Sequence, residues 1–253
     1  MMKNKTAFIT GATSGIGQAT ARLFAKEGVR LILCGRRQNR LNELHKELSA
    51  LTEVHTLRFD VRDRNSVAEA IEGLPEAFSE IDILINNAGN AHGMDTIQEG
   101  NVDDWDAMMD INVKGLLYVS KAIIPRMIKR GAGYIINIGS TAGKEVYPKG
   151  NVYCASKHAV DAINQGMRLD LNGTGIRVGA VNPGLVETEF SEVRFKGDID
   201  RAEKVYQNFT PLRPEDIADI IWFAVTRPPH VNIADLTVMC LDQASSTIVN
   251  KNI

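Results

Sequence analysis

Short β-rich runs alternate with longer helical patterns from the first residues to about Cys240. This alternation is typical of a parallel sheet covered by helices on both faces. It predicts an open α/β sheet of seven parallel strands. We place the strands at Thr6–Thr10, Leu31–Cys34, Val54–Phe59, Ile83–Asn86, Tyr134–Ile138, Arg177–Asn182 and Leu236–Cys240.

Helical patterns fill the gaps, at Ile16–Glu27, Arg37–Ala50, Asn65–Phe78, Val102–Lys129, Val152–Asn172 and Pro214–Thr226. The 253 residues, 44% of them apolar, contain no Pro-, Gly- or Ser-rich linker, so we predict a single domain spanning residues 1–253. The segment 185–211 fits neither period and follows the end of a strand. Ligands of open α/β sheets bind beyond such ends, and we therefore expect this segment to be a substrate lid.

Composition argues against several classes of partner. A formal net charge of −2 and the lack of a long basic run predict binding to neither nucleic acid nor a membrane surface. The three cysteines and five histidines lack the spacing of disulfide frameworks or metal ligands, so no metal is expected. The N-terminus runs into the first strand without an apolar segment long enough for a signal peptide, which favours the cytoplasm.

The segment Thr10–Gly17 reads Thr-Gly-Ala-Thr-Ser-Gly-Ile-Gly and joins the first predicted strand to the first predicted helix. Gly11 permits a sharp turn, Gly15 lets the backbone approach a pyrophosphate, and Gly17 permits close helix packing. The N–H groups at the helix N-terminus favour an anion. This context predicts a dinucleotide-binding loop. Besides the glycines, its expected cofactor contacts are Thr13, Ser14 and Ile16.

Two arginines follow the second predicted strand, where a site that prefers NAD usually carries an acid for the ribose 2′-hydroxyl. The chain reads Cys34-Gly35-Arg36-Arg37 there and offers no acid. Guanidinium groups suit the 2′-phosphate of NADP, because they bind it through charge-assisted hydrogen bonds. Arg36 and Arg37 therefore predict NADP as the cofactor, and a solvated helix start is the structural alternative.

Tyr153 and Lys157 frame the sequence Tyr-Cys-Ala-Ser-Lys, and Ser140 follows the apolar run Ile-Ile-Asn-Ile-Gly. Residues four apart share one face of a helix, so we expect the Lys157 ammonium beside the Tyr153 phenol. A nearby cation favours the phenolate, and Lys157 is predicted to lower the pKa of Tyr153 from its ordinary value of about 10. Tyr153 would act as general acid and base, while Ser140 holds the oxygen of a carbonyl or alcohol.

Several motifs occur together in the order typical of one family: the glycine loop, Asn86-Asn87-Ala88-Gly89, Asn112, Ser140, Tyr153, Lys157 and Pro183-Gly184. On these motifs the chain resembles the short-chain dehydrogenase/reductase family over nearly its whole length. The resemblance implies a Rossmann-type doubly wound fold and NAD(P)-dependent oxidoreductase activity. It also implies that Asn112 is a fourth catalytic residue, which holds a water behind Lys157, and that Lys157 grips the nicotinamide ribose. The other implied cofactor contacts are Asp60 and Val61 at the adenine, Asn87 and Ala88 at the adenosine ribose, and Ile138, Pro183, Gly184, Val186 and Thr188 around the nicotinamide, with Gly89 and Tyr153 also at the cofactor.

Longer stretches, most tellingly residues 183–198, resemble the bacterial NADP-dependent 3-hydroxy acid dehydrogenases within that family. This implies hydride transfer between NADP(H) and the C3 hydroxyl or carbonyl of a small acid such as serine, allo-threonine or 3-hydroxypropionate. A 3-oxoacyl-carrier-protein reductase or another carbonyl reductase is the alternative within the family, although Asp242-Gln243-Ala244 stands where the former usually has Asp-Gly-Gly. A non-catalytic NADP-binding sensor is the alternative from another class.

The lid candidate contains Arg194 and Lys196, either of which could meet a substrate carboxylate. Arginine binds a carboxylate through two parallel hydrogen bonds, so we expect Arg194 in this role, and a solvated lid face is the alternative. The expected substrate-binding residues are Ser140, Tyr147, Tyr153 and Arg194.

The helix predicted at Val152–Asn172 carries apolar side chains on more than one face, more than one sheet can cover. The resemblance implies that this helix and the one before it pair with their copies across a two-fold axis, usually within a tetramer. We therefore expect a homotetramer that acts on a small-molecule substrate.

Overall fold

The computed structural model describes residues 2–251, and the seven strands found there form one parallel sheet. The strands are β1 (Thr6–Thr10), β2 (Arg30–Gly35), β3 (Val54–Arg58), β4 (Ile83–Asn86), β5 (Gly133–Ile138), β6 (Ile176–Pro183) and β7 (Asp235–Val238). Their order across the sheet is β3-β2-β1-β4-β5-β6-β7, and neighbouring strands are parallel. The predicted α/β fold with a seven-stranded parallel sheet is confirmed. Met1, Asn252 and Ile253, which the predicted domain included, lie outside the described residues.

The order of the strands reverses between β1 and β4, which are neighbours although two strands separate them in sequence. From β1 the chain builds outward to β3, and from β4 it builds outward in the opposite direction to β7. The loops that leave the carboxyl ends of β1 and β4 therefore diverge and open a crevice. Open α/β sheets bind their ligands in such a crevice.

Helices cover both faces of the sheet. They are α1 (Gly15–Lys26), α2 (Gln38–Leu48), α3 (Arg64–Glu72), α4 (Val102–Met109), α5 (Leu116–Arg130), α6 (Asn151–Asp170), α7 (Phe190–Arg194), α8 (Ile199–Lys204) and α9 (Pro214–Val225). Leu33 packs with α1, α2 and α9 in one apolar core, whereas its neighbour Ile32 packs with α3, α5 and α6 in the other. This alternation follows from the pleat of a strand. Among the helices described between residues 2 and 251, none has the continuous apolar length that crossing a bilayer requires.

The helix predicted at Asn65–Phe78 is shorter in the structure. α3 ends at Glu72 with Gly73 as its C-cap, and a single 3₁₀ turn, Glu76–Phe78, follows Pro75. Gly73 favours a helix end, and Pro75 has no N–H to donate and disfavours a helical conformation at the residue before it, so the helix ends before this point.

The helix predicted at Val102–Lys129 contains an irregularity. Its central residues, Asp110–Gly115, form a π-helical turn between α4 and α5. Such wide turns often lie at functional sites, and Asn112 is in the middle of this one.

The segment 185–211 contains two short helices, α7 and α8, which the sequence analysis did not predict. Both are too short for a helical period to be visible in the sequence. Each depends on local contacts: Asp198 caps α8 by accepting from the Arg201 N–H at 3.1 Å, and the buried Ser191 of α7 hydrogen-bonds to the Tyr206 hydroxyl at 2.7 Å.

Candidate active site

Hydrogen bonds join the carboxyl ends of β1 and β4. The Thr10 hydroxyl accepts from the backbone N–H groups of Asn87 and Ala88, both at 2.9 Å. In return the Asn87 side chain donates to the Thr10 carbonyl at 2.9 Å and to the Gly11 carbonyl at 3.2 Å. A side chain at Gly17 would place its Cβ 2.5 Å from the Asn87 amide nitrogen, and Gly11 has a φ of +64°. The glycines are therefore needed for the close approach of these two loops.

A cavity of about 740 Å³ runs along this edge of the sheet. Its volume lies in the range of sites that bind small molecules and cofactors. The cavity brings together every predicted site residue except Gly17, which packs behind the glycine loop, and Asn112. Two ends can be distinguished: an arginine-rich end beside β2, and an end beside β5 that contains Ser140, Tyr153 and Lys157.

At the arginine-rich end, the structure pairs each guanidinium with the chain's own acceptors. Arg36 lies 3.8 Å from the Asp60 carboxylate. Arg37 donates to the Ser14 hydroxyl at 2.7 Å, to Thr13, and to the Glu189 carboxylate at 2.9 Å.

Glu189 also lines this end and is paired with Arg40 of α2, and the sequence predicted neither residue. Arg40 ion-pairs with Glu189. The position of Arg40 three residues after Arg37 on α2 was the available signal for it, because residues three apart share a helix face. Glu189 lies 149 residues away, and no sequence signal connects it to the arginines.

Tyr153 lies in the first turn of α6 and is 8% exposed. The phenyl ring of Phe190 lies 5.6 Å away, centroid to centroid. Burial raises the pKa of the Tyr153 phenol, and the neighbouring Tyr147 raises it further, while the Ser140 hydroxyl and the Arg194 guanidinium lower it. The prediction that Lys157 lowers this pKa below its ordinary value is therefore wrong for this structure. Burial penalises the phenolate more than the neighbouring groups stabilise it.

Lys157 lies one turn after Tyr153 on α6, as the spacing predicted, and its side chain is buried, which the spacing did not predict. Its ammonium donates to the Ile138 carbonyl at 3.0 Å, at the carboxyl end of β5. Burial lowers the pKa of Lys157 to about 8. Lys157 therefore exchanges its proton close to neutral pH, which an exposed lysine does not do.

The carboxamide of Asn112 is buried, and both its oxygen and its nitrogen are hydrogen-bonded to other residues. Its oxygen accepts from the Asn90 N–H at 2.9 Å, and its nitrogen donates to the Asn90 carbonyl at 2.9 Å and to the Ser156 hydroxyl at 3.0 Å. A Cβ added at Gly89 would lie 3.1 Å from the Asn112 oxygen and 3.6 Å from the Lys157 nitrogen. Asn112 and Lys157 thus lie on either side of Gly89, where a larger side chain would crowd the Asn112 oxygen.

Arg194, in the last turn of α7, extends its guanidinium over the reactive end of the cavity. The guanidinium carbon lies 5.5 Å from the ring centre of Tyr153 and 5.6 Å from that of Tyr147. Nε donates to the Gly93 carbonyl at 3.3 Å, and the Gly93 N–H donates to the Arg194 carbonyl at 3.0 Å. Nη2 is buried and has no hydrogen-bond partner among residues 2–251.

Lys196, the other predicted cation of the segment, is turned away from the cavity. It ion-pairs with Asp104 at 2.9 Å and is more than half exposed. Of the two cations, Arg194 is the one that lines the cavity.

The C-terminal segment also contributes to the cavity wall, which the sequence analysis did not predict. The buried Gln243 accepts from the Leu185 N–H at 2.9 Å and donates to the Ser245 carbonyl at 3.1 Å. Ser246 and Thr247 line the cavity beside it. Within residues 2–251, no group of three or more His, Cys, Asp or Glu side chains is placed to hold a metal ion.

Comparison with known proteins identifies the family. Residues 5–198 match the short chain dehydrogenase family, and the chain belongs to it. NADP-dependent 3-hydroxy acid dehydrogenase YdfG of Escherichia coli K12 is 47% identical over 237 residues, which cover 93% of this chain and 95% of that protein. Sulfoacetaldehyde reductase 2 of Chromohalobacter salexigens is 48% identical over 239 residues, which cover 94% and 95%. Among solved structures, a closed form of serine dehydrogenase complexed with NADP+ has a TM-score of 0.92 and 45% identity, covering 98% of this chain and 100% of that one.

The depressed pKa of Lys157 predicts a pH-dependent stability. Between about pH 8 and its unfolded pKa of about 10.4, the unfolded lysine binds a proton that the folded one has lost, so stability rises with pH in this window. The Lys157→Met variant cannot show this rise, because it has no titrating group at position 157. We expect the free energy of unfolding of the wild type, relative to that of the variant, to increase by about 2 kcal/mol from pH 7 to pH 10.

Urea unfolding of both proteins at each pH measures the difference. The Lys149→Met variant, which removes an exposed lysine, is the control. A difference between wild type and Lys157→Met that stays constant from pH 7 to pH 10 would show that Lys157 remains protonated in the folded protein.

Proposed function

We propose that this short-chain dehydrogenase is an NADP-dependent enzyme that transfers a hydride between its cofactor and the C3 hydroxyl or carbonyl of a small 3-hydroxy acid. The observation that carries the proposal is the Arg194 guanidinium, which lines the reactive end of the cavity above Tyr153 with a buried, unpaired N–H group. A buried unpaired donor is costly, and an anionic substrate would satisfy it. The names of the 3-hydroxy acid and serine dehydrogenases among its relatives support the same substrate class.

The residues of the cavity fit NADP(H). Gly15, with a φ of +51°, lies at the start of α1, where backbone N–H groups can receive a pyrophosphate, and three arginines lie at the β2 end for a 2′-phosphate. We propose that the loop Gly11–Gly17, Arg36, Arg37, Asp60 and Val61 hold the adenosine diphosphate half, with Asn87, Ala88 and Gly89 beside them. Ile138, Tyr153, Lys157, Pro183, Gly184, Val186 and Thr188 would hold the nicotinamide half. When bound, the nicotinamide supplies the hydride or accepts it.

Tyr153 is proposed to move the proton. Its raised pKa keeps the phenol protonated at neutral pH, the state required to donate to a carbonyl oxygen. The Ser140 hydroxyl oxygen accepts from the Ala142 N–H at 3.1 Å, and the Ser140 hydroxyl is proposed to donate its own proton to the substrate oxygen beside Tyr153.

Lys157 and Asn112 are proposed to belong to the relay that returns a proton to Tyr153 after Tyr153 has donated one to the substrate. With a pKa of about 8, Lys157 can release and take up a proton near neutral pH. The side-chain hydrogen bonds of Asn112 go to Asn90 and Ser156, so the role proposed for it in the relay belongs to its main chain, where the π-helical turn alters the regular carbonyl pattern.

A second candidate substrate is a small sulfonate aldehyde, which the likeness to sulfoacetaldehyde reductase 2 favours. The two substrate classes share one chemical feature: the reacting carbon is separated from the acid group by a single carbon. An arginine that binds the acid group beside Tyr153 serves both, because guanidinium pairs with carboxylate and sulfonate oxygens alike. We propose 3-hydroxy acids as the main class.

Arg194 belongs to the segment 185–211, which we propose closes as a lid over the cavity of a single domain. The closed form of the related serine dehydrogenase supports such a movement. On closure, the guanidinium would be brought to the substrate together with Phe190, whose ring already lies beside Tyr153.

We also propose a homotetramer, acting in the cytoplasm, a compartment that suits three free, buried cysteines. α5 exposes Leu117 and Ile128, and α6 exposes Leu169 to 76% of its surface. A second copy would cover these side chains across a two-fold axis. Light scattering at micromolar concentration should give four times the chain mass of 27.8 kDa, and a stable monomer would contradict the proposal.

The Tyr153→Phe variant tests the proton transfer. The change keeps the ring and removes the proton, so we expect kcat for 3-hydroxypropionate oxidation to fall about 10²- to 10⁴-fold while NADPH binding is retained. NADPH absorbance gives the rate, and fluorescence titration gives the dissociation constant. Tyr118→Phe, on α5 outside the cavity, is the control and should keep full activity. Equal activity in the two variants would remove Tyr153 from the mechanism.

The Arg194→Leu variant tests the choice of an acidic substrate. We expect it to lose roughly 2–5 kcal/mol of transition-state binding for 3-hydroxypropionate, because one partner of a buried charge pair is removed, and to leave neutral secondary alcohols hardly affected. Values of kcat/KM for both substrates and for 2-hydroxyethanesulfonate measure this selectivity. Lys196→Met is the matched control. A parallel loss for acids and neutral alcohols would mean that Arg194 supports the segment and does not bind the acid.

A further inference from the structure

Glu189 immediately precedes α7. Its carboxylate lies between Arg37, which is the N-cap of α2, and Arg40, which is in the first turn of α2. Arg37 donates to one carboxylate oxygen at 2.9 Å, and Arg40 donates to the other. All three side chains are between one third and two fifths exposed, so ligands can reach them.

Arg37 is also bonded to the glycine loop, through the Thr13 hydroxyl at 3.1 Å and the Ser14 hydroxyl at 2.7 Å. The residue before Glu189 contacts the same loop: a Cβ added at Gly15 would lie 3.2 Å from the Thr188 methyl group. The first residues of the segment 185–211 are therefore tied to the phosphate-binding region by one ion-pair cluster and one packing contact.

We propose that Glu189 is a specificity-determining positioning residue, an internal anion that occupies the guanidinium groups a 2′-phosphate requires. The phosphate of NADP and the first residues of the segment 185–211 would compete for Arg37 and Arg40. This inference rests on the proposed function, because it concerns how the same site distinguishes NADP from NAD.

The outcome of the competition follows from charge and geometry. A phosphate monoester carries up to two negative charges and three acceptor oxygens, whereas the carboxylate carries one charge and two oxygens. The phosphate therefore displaces Glu189 from Arg37. NAD lacks this group and leaves the Glu189 ion pairs intact. Glu189 thus weakens the binding of NADP, and a 2′-phosphate releases the start of the segment from α2.

The Glu189→Gln variant tests this inference, since it keeps the size and the acceptor oxygen of the side chain but removes the charge. We expect the dissociation constant of NADPH to fall roughly fivefold, equivalent to about 1 kcal/mol, and that of NADH to stay unchanged. Adenosine 2′,5′-bisphosphate, which has the 2′-phosphate and no nicotinamide, should bind more tightly by the same factor. Fluorescence titration and competition at equilibrium measure these constants without any turnover.

Glu187→Gln is the matched control. Glu187 belongs to the same segment, but its carboxylate lies 3.4 Å from Arg213 and does not pair with the arginines of α2. This variant should bind all three ligands as the wild type does. If Glu187→Gln binds NADPH more tightly by the same factor, the effect is one of net charge and the inference is overturned. It is also overturned if Glu189→Gln changes the dissociation constants of NADPH and NADH equally, or changes neither. If the wild type binds neither NADPH nor the bisphosphate, the proposed cofactor fails and this inference fails with it.

Discussion

The hydrogen bonds between the carboxyl ends of β1 and β4 are the constraint on which the site depends. Four hydrogen bonds of 2.9 to 3.2 Å cross this junction. The Thr10 hydroxyl accepts two from the backbone of the β4 loop, and the Asn87 side chain donates two to the backbone of the β1 loop. These bonds fix the glycine loop against the loop that leads to Gly89. Gly89 of that loop lies beside the side chains of Asn112 and Lys157. The cofactor-side loops are therefore held together by polar contacts between two strands that are neighbours only because the sheet reverses there, while Lys157 is bonded to the Ile138 carbonyl at the end of β5.

The parts of this architecture that could be predicted are those that depend on residues close together in the sequence. Each strand lies within two residues of its predicted bounds. The buried strands, such as β2, can be recognised because a buried parallel strand requires a continuous apolar run, here Leu31–Cys34. The glycine loop and the spacing of Tyr153 and Lys157 are local as well. α7 could not be predicted because five residues are too few to show a helical period. The π-helical turn and the pairing of Glu189 with Arg40 could not be predicted because their partners are distant in the chain: Asn112 of the turn bonds to Asn90 and Ser156, and Glu189 lies 149 residues from Arg40.

The acid and base groups show why proximity alone does not determine a pKa. Helical spacing places Lys157 one turn from Tyr153, but it does not reveal that both are buried or that the ammonium is already bonded to the Ile138 carbonyl. Burial then dominates and moves the two pKa values in opposite directions, that of the phenol upward and that of the lysine downward. Each group is thereby shifted toward its neutral form, the phenol by keeping its proton and the lysine by releasing one more readily.

The short helix α7 connects the two ends of the cavity. Glu189 at its start pairs with the arginines beside the glycine loop, and Arg194 at its end lies over Tyr153. Five residues of helix span only about 7.5 Å, so the two charged side chains are carried by one short element. A coupling through α7 would be reciprocal: a ligand that shifts Glu189 and a ligand that binds Arg194 would change each other's affinity by the same factor. Under the proposed function, a 2′-phosphate that frees Glu189 would then also shift Arg194, and the choice of cofactor would be coupled to the recognition of the acid through α7.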